Sequence, residues 1–219
     1  MSRQIAPQSL IHGIQLDQPG ISKQTNVLII ITKDKNSDSS RLLSIWLVIY
    51  PHNKSELIFL PVFPSISGKE SDFAEKLAEV FYLDQAGNPA NLFFDKLHEH
   101  VQWDHFVVLD HQALIKLINA LGGVFINGRV QKGQQALETL ETIDHDPTLL
   151  IINQSGAITS ACQTIFSWNV SKINKFIDLL VTLSAVDSGL SRQPEGWISD
   201  IKGNEPLNCE FPTLMELFH

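Results

Sequence analysis

The stretch Trp103–Val130, WDHFVVLDHQALIKLINALGGVFINGRV, decides the fold. Phe106, Val107, Val108 and Leu109 form a short apolar run of the kind that fills a buried strand. Asp110 follows, and its side-chain oxygen can cap a helix. Leu114, Leu117, Ile118 and Leu121 recur at three- and four-residue spacing, so they share one helical face. Gly122 and Gly123 stop that helix, because glycine accepts a left-handed backbone just past a helix end. Val124, Phe125 and Ile126 then open another strand. Strand, helix and strand joined by short links are the building unit of an α/β sandwich.

The flanking sequence reads the same way. Asn26–Ile31 is a β-branched strand without alternation, as expected for a central one. Arg41–Tyr50 and Glu56–Phe63 form a hairpin across the turn sequence Pro51-His52-Asn53-Lys54, with Pro61 and Pro64 finishing its second strand. Helices are expected at Lys69–Phe81 and at Ala90–Val101, the latter with Leu92, Phe93 and Leu97 inward. Further helices are expected at Lys132–Thr142, from Asp146-Pro147 to about Ser167, and at Asn169–Leu183. The expected organisation is a polar lead-in over 1–24, one domain over 25–185, and a tail over 186–219 packed on it, with a last helix at Thr213–Phe218. The fold class this predicts is a three-layer α/β/α sandwich with a central mixed sheet.

Composition narrows the function. With 219 residues and 43% hydrophobic content the chain can bury one sizeable core. A net charge of −8, spread along the chain, disfavours a general nucleic-acid-binding role. The longest apolar runs, such as Val27–Ile31 and Leu42–Ile49, are far short of a bilayer span. Met1–Gly20 has one arginine and no apolar block, so no secretory signal is read there. Cys162 and Cys209 show no metal-ligand spacing. Sequence alone does not pair them, and two buried free thiols are the expectation.

The run from Asp104-His105-Phe106 through Asn119-Ala120-Leu121-Gly122-Gly123-Val124 resembles the central segment of the LytR-CpsA-Psr family. The resemblance extends from about Asn26 to about Ile165. It implies an enzyme class that transfers glycopolymers from polyprenyl-pyrophosphate carriers to the bacterial cell wall. It also implies a divalent metal near the pyrophosphate and a hydrophobic cleft between sheet and helices for the prenyl chain. The family usually carries an N-terminal membrane anchor. The implied location is therefore the extracytoplasmic face of a membrane where such an anchor precedes the chain, and the cytoplasm otherwise.

Residue by residue, the charged positions of the family pattern are changed. Its opening glycine falls on Ile31 and its aspartate on Lys33, with Asp34 one residue late and Lys35 at an arginine place. A second aspartate falls on Leu42, or on Arg41 if the register slips by one. A third motif keeps Pro61, while its arginine and aspartate fall on Val62 and Phe63. Later arginines fall on Glu141, Ile158 and Ala161, and only Gln163 remains of the last motif. A pyrophosphate site needs arginine forks, a metal or a row of helix-end amides. The reading is therefore a catalytically degenerate relative that binds a polyprenyl lipid or an envelope protein, with no cofactor. The alternative is an active, Mg2+-dependent phosphotransferase using Asp34, Lys35, Asp38 and Arg41, which lie in or beside one loop.

Other clusters carry less. His98, His100, His105 and His111 are a candidate transition-metal set, though scattered loop-end histidines explain them more simply. Asp144-His145-Asp146 precedes Pro147 and reads as a helix start. Ser155-Gly156 lacks the frame of a nucleophile elbow. For the prenyl cleft the expected lining is Phe73, Leu77, Phe81, Leu92, Phe93 and Val108. Closure of that cleft, with Val62, Phe63, Ile158 and Ala161 packed into the old charged site, is the expected outcome of losing the chemistry.

Overall fold

The first described segment is rich in β-branched residues, and such side chains suit a pleated surface better than a helix. The computed structural model describes residues 24–37, 40–52, 54, 56–64, 68–186 and 208–211. Strand β1 (Gln24–Thr32) pairs antiparallel with β2 (Leu42–Pro51), and β2 pairs antiparallel with β3 (Glu56–Phe63). After two helices the chain returns as β4 (His105–Asp110), parallel to β1. Short strands β7 (Ala185–Val186) and β8 (Asn208–Glu210) complete a mixed sheet in the order β7-β4-β1-β2-β3-β8.

Nine of the ten β2 residues are buried, so both faces of the sheet need cover. Helices α1 (Gly68–Glu79) and α2 (Asn91–His98) cover one face. There Leu77, Phe93 and Leu97 are fully buried on Leu28, Ile30, Ile45 and Val108. The opposite face is roofed by α3 (His111–Leu121), α5 (Pro147–Phe166) and α6 (Val170–Leu183). This is the expected three-layer α/β/α arrangement. The helix starts follow the sequence signals: Asp110, Asp146 and Asn169 each accept a backbone N–H of the first turn. Gly122 ends α3 with φ 92°.

Several expectations are corrected. The strand after α3 does not join the sheet. β5 (Val124–Ile126) pairs instead with β6 (Arg129–Gln131), through Asn127 and Gly128 at φ 50° and 79°. Such a two-residue turn with both φ positive matches the twist of a hairpin. The backbone N–H of Phe125 donates to Ser160 Oγ at 2.8 Å and that of Asn127 to Asn153 Oδ1 at 3.1 Å, which docks the hairpin on α5. α4 (Gly133–Thr142) then packs beside α3.

Pro61 does not finish β3 but sits inside it, at a bulge opposite Trp46. Its missing N–H is tolerated because β8 pairs only with Glu56–Ile58. Leu92 was expected inward and is 56% exposed, because Phe93 and Leu97 already occupy the inner face of α2. Cys162 and Cys209 are not free thiols: they form a disulfide joining α5 to β8, with Cα atoms 6.4 Å apart. The lead-in through residue 23 and the expected helix at Thr213–Phe218 lie outside the described residues.

Truncating Leu77 or Phe93 to alanine is expected to cost about 3–4 kcal/mol, whereas Leu92→Ala stays within about 0.5 kcal/mol, read from urea denaturation midpoints. The disulfide spans 47 residues of chain. By chain entropy its removal, as Cys162→Ala with Cys209→Ala, costs about 4 kcal/mol, and equal stability of the reduced and oxidised proteins would contradict that.

Candidate functional site

The two covered faces of the sheet differ. Under α1 and α2 the aromatic side chains interlock: Phe81 on Phe93 at 5.0 Å, Phe93 on Phe94 at 5.7 Å and Phe94 on Phe106 at 4.9 Å between ring centroids. Under α3, α5 and α6 a cavity of about 850 Å³ remains. Its floor is Ile29 and Ile31 of β1, Trp46 of β2, Leu57 and Phe59 of β3 and Leu109 of β4. Its roof is Leu114 and Leu117 of α3, Ile158 and Ala161 of α5, and Ile173 and Phe176 of α6.

None of Phe73, Leu77, Phe81, Leu92, Phe93 and Val108 lines this cavity. Leu77, Phe93 and Val108 are fully buried on the other side of the sheet. Both sheet faces are apolar in sequence, so strand pattern did not reveal which one would carry the space. Phe63, Ile158 and Ala161, expected to be packed shut, are half-buried and face the cavity instead. Val62 packs on the α1–α2 side, and Phe63 touches that cluster as well as lining the cavity.

Charge collects at one end of the cavity. β1 and β4 are parallel, so the chain leaves both at the same edge of the sheet. In open α/β sheets that carboxyl edge is where ligands bind. Lys33 and Arg41 come from the β1–β2 loop, His111 from the first residue of α3, and Glu141 and Asp144 from the end of α4. Arg41 Nη2 donates to Asp144 Oδ2 at 2.8 Å. Lys33 Nζ lies 3.8 Å and His111 Nδ1 3.6 Å from Glu141 Oε1. The side chains of Lys33 and Arg41 are 59% and 62% exposed, so this end opens to solvent.

Deeper in, the polar feature is Trp46 Nε1 donating to Gln154 Oε1 at 3.0 Å. Opposite the roof of α5, the segment from Cys209 to Phe211 closes the flank: Phe211 stacks on Phe59 at 5.2 Å and meets Trp46 edge-on at 6.3 Å.

Of the three expected catalytic candidates that are described, Arg41 is the one at the mouth. Asp34 turns back into its own loop, its Oδ1 accepting the Asn36 N–H at 2.9 Å. Lys35 Nζ is held by the Leu183 carbonyl at the end of α6. Asp38 lies outside the described residues. The loop is braced by Ser40 Oγ, 2.5 Å from Thr32 Oγ1 and accepting the Asp34 N–H at 2.9 Å. Lys33, Glu141 and Asp144 were not among the candidates. Their signal was present in the resemblance, since Lys33 and Glu141 stand at family aspartate and arginine places.

The histidines disperse. His98 stacks on Trp103 at 3.7 Å and His100 meets Phe73 at 4.1 Å, both on the α2 side. His111 is at the mouth. Burial pushes its pKa below the ordinary histidine value, and Glu141 pulls it only part of the way back. The amino end of α3 also disfavours the imidazolium. The charges lining the mouth therefore sum to zero at neutral pH: two cations, two carboxylates and a neutral imidazole.

No family model matches the chain, and no curated protein matches it. Solved structures do. A LytR-Csp2A-Psr enzyme from Actinomyces oris superposes with a TM-score of 0.60 at 13% identity, covering 85% of this chain and 80% of that one. TagV of B. subtilis gives 0.58 at 13% identity, with 88% and 85% covered. TagT, solved bound to LI-WTA, gives 0.58 at 15% identity, with 95% and 85% covered. At these identities the likeness is one of fold.

The shifted histidines fix a pH response. His100 and His111 both have lowered folded values, burial being the main cause in each. The unfolded chain therefore binds protons more readily near the ordinary histidine value of about 6.5, and stability falls as pH drops below it. Melting temperature should decline from pH 7.5 to 5, above the range where carboxylates titrate, and His111→Gln should lessen the decline. A melting temperature that rises on acidification would contradict the burial of these rings.

Proposed function

We propose that this chain, which has the fold of the LytR-CpsA-Psr enzymes, is a cell-envelope protein that holds a polyprenyl lipid in its cavity and is catalytically degenerate. The observation that carries the reading is the cavity itself. Its walls are apolar side chains of sheet and helices, and apolar walls that lack partner atoms forfeit dispersion attraction. An occupant that supplies those contacts is favoured. Water is a poor occupant, because an apolar lining offers it few hydrogen bonds. A flexible hydrocarbon chain entering from the charged mouth satisfies the lining.

What stands around the mouth supports degeneracy. The positions where the family carries phosphate-binding and metal-binding charges hold Phe63, Ile158 and Ala161 on the cavity wall and Glu141 at its rim. Neither apolar groups nor a carboxylate can fork onto phosphate as arginine does. The disulfide supports an extracytoplasmic location, since such bonds persist in oxidising compartments. Among the described residues no helix is long and apolar enough to cross a membrane.

The test is a pair of cavity-filling variants, Ala161→Trp and Ile158→Trp, titrated with a fluorescent geranylgeranyl probe. Both should bind at least about tenfold more weakly than wild type, a loss of about 1.4 kcal/mol or more, while Leu92→Ser on the far face binds normally. Equal binding by all of them would remove the cavity as the site. Magnesium-dependent cleavage of geranylgeranyl pyrophosphate, abolished by Asp34→Ala, would overturn degeneracy and restore the phosphotransferase alternative.

A further inference from the structure

We infer that the lipid held in this cavity has an uncharged, hydroxyl-bearing head, the free polyprenol being its simplest form, and is not a polyprenyl pyrophosphate. The inference rests on the reading that the cavity takes a prenyl chain, and it concerns the mouth alone.

The cations at the mouth are already engaged. Arg41 is bonded to Asp144 at 2.8 Å and Lys33 lies 3.8 Å from Glu141. Lys35, from the same loop, is held by the Leu183 carbonyl. The amino end of α3 is occupied too, because the Ala113 N–H donates to Asp110 Oδ1 at 2.8 Å. A pyrophosphate entering here would have to compete with Asp144 for Arg41 and with Glu141 for Lys33. It would also sit beside two carboxylates, and like charges placed together disfavour it.

A hydroxyl group meets no such penalty. Each of these cations is paired with a carboxylate, so one hydroxyl beside a pair can donate to Glu141 or Asp144 and accept from Lys33 or Arg41. Neither ion pair need open. His111 adds a ring nitrogen on the same rim, 3.6 Å from Glu141. Paired charges of this kind reject a charged head by leaving it uncompensated, which is specificity by exclusion.

Native mass spectrometry titrations with geranylgeraniol, geranylgeranyl monophosphate and geranylgeranyl pyrophosphate, with and without magnesium, test this. Wild type should bind the alcohol at least about tenfold more tightly than the pyrophosphate. The double variant Glu141→Gln, Asp144→Asn frees both cations and removes both carboxylates. It should bind the pyrophosphate about tenfold or more tightly than wild type does, in a salt-dependent way, and bind the alcohol more weakly. Wild-type binding of pyrophosphate as tight as that of the alcohol, in either buffer, would overturn the inference and leave the prenyl cavity standing. An unchanged pyrophosphate affinity in the double variant would overturn it too. Failure of all three lipids to bind would remove the cavity reading itself.

Discussion

Strand β2 is buried along nearly its whole length, and both of its faces must be kept from water. The rest of the fold depends on how that constraint is met. On one face α1 and α2 bring Leu77, Phe81, Phe93 and Leu97 down onto the sheet, and the aromatic rings interlock with Phe94 and Phe106. On the other face α3 and α6 flank α5, which sets Ile151 and Cys162 into a buried cluster with Trp46 and Phe59 of the sheet. The β5–β6 hairpin docks on it through Ser160 and Asn153, and the disulfide at Cys162 ties it to β8 at the sheet's edge. The gap between is the cavity. One sheet thus has a solid side that supplies stability and a hollow side that costs stability unless something fills it.

Much of this was legible in the sequence, and the rest had identifiable physical reasons for being hidden. The strand run Phe106–Leu109, the Asp110 cap and the glycine stop after Leu121 are local signals, and each is found where the residues place it. Helix starts at Asp146 and Asn169 are local too. The departure of β5 from the sheet is not, because Val124–Ile126 is equally apolar in a sheet or in a hairpin, and docking on Ser160 settles it. The side of the sheet that opens is a matter of helix distance rather than of residue type. Ile29 and Ile30 are alike in sequence and lie on opposite faces, one lining the cavity and the other in the packed core.

The mouth illustrates the same limit. Arg41 and Asp144 are 103 positions apart, and only the shared carboxyl edge of β1 and β4 brings them together. Position by position, Glu141 reads as a lost arginine. Beside Lys33 and His111 it is half of a neutral rim.

The central claim is that the hollow side is built to hold a hydrocarbon chain. The most direct measurement is native mass spectrometry of the full chain purified without detergent from bacterial cells, followed by organic extraction and identification of what is released. The account predicts a protein-bound species of lipid mass that leaves with solvent and proves to be isoprenoid. A protein that flies at its bare chain mass, with nothing extractable and no loss of stability for being empty, would contradict it.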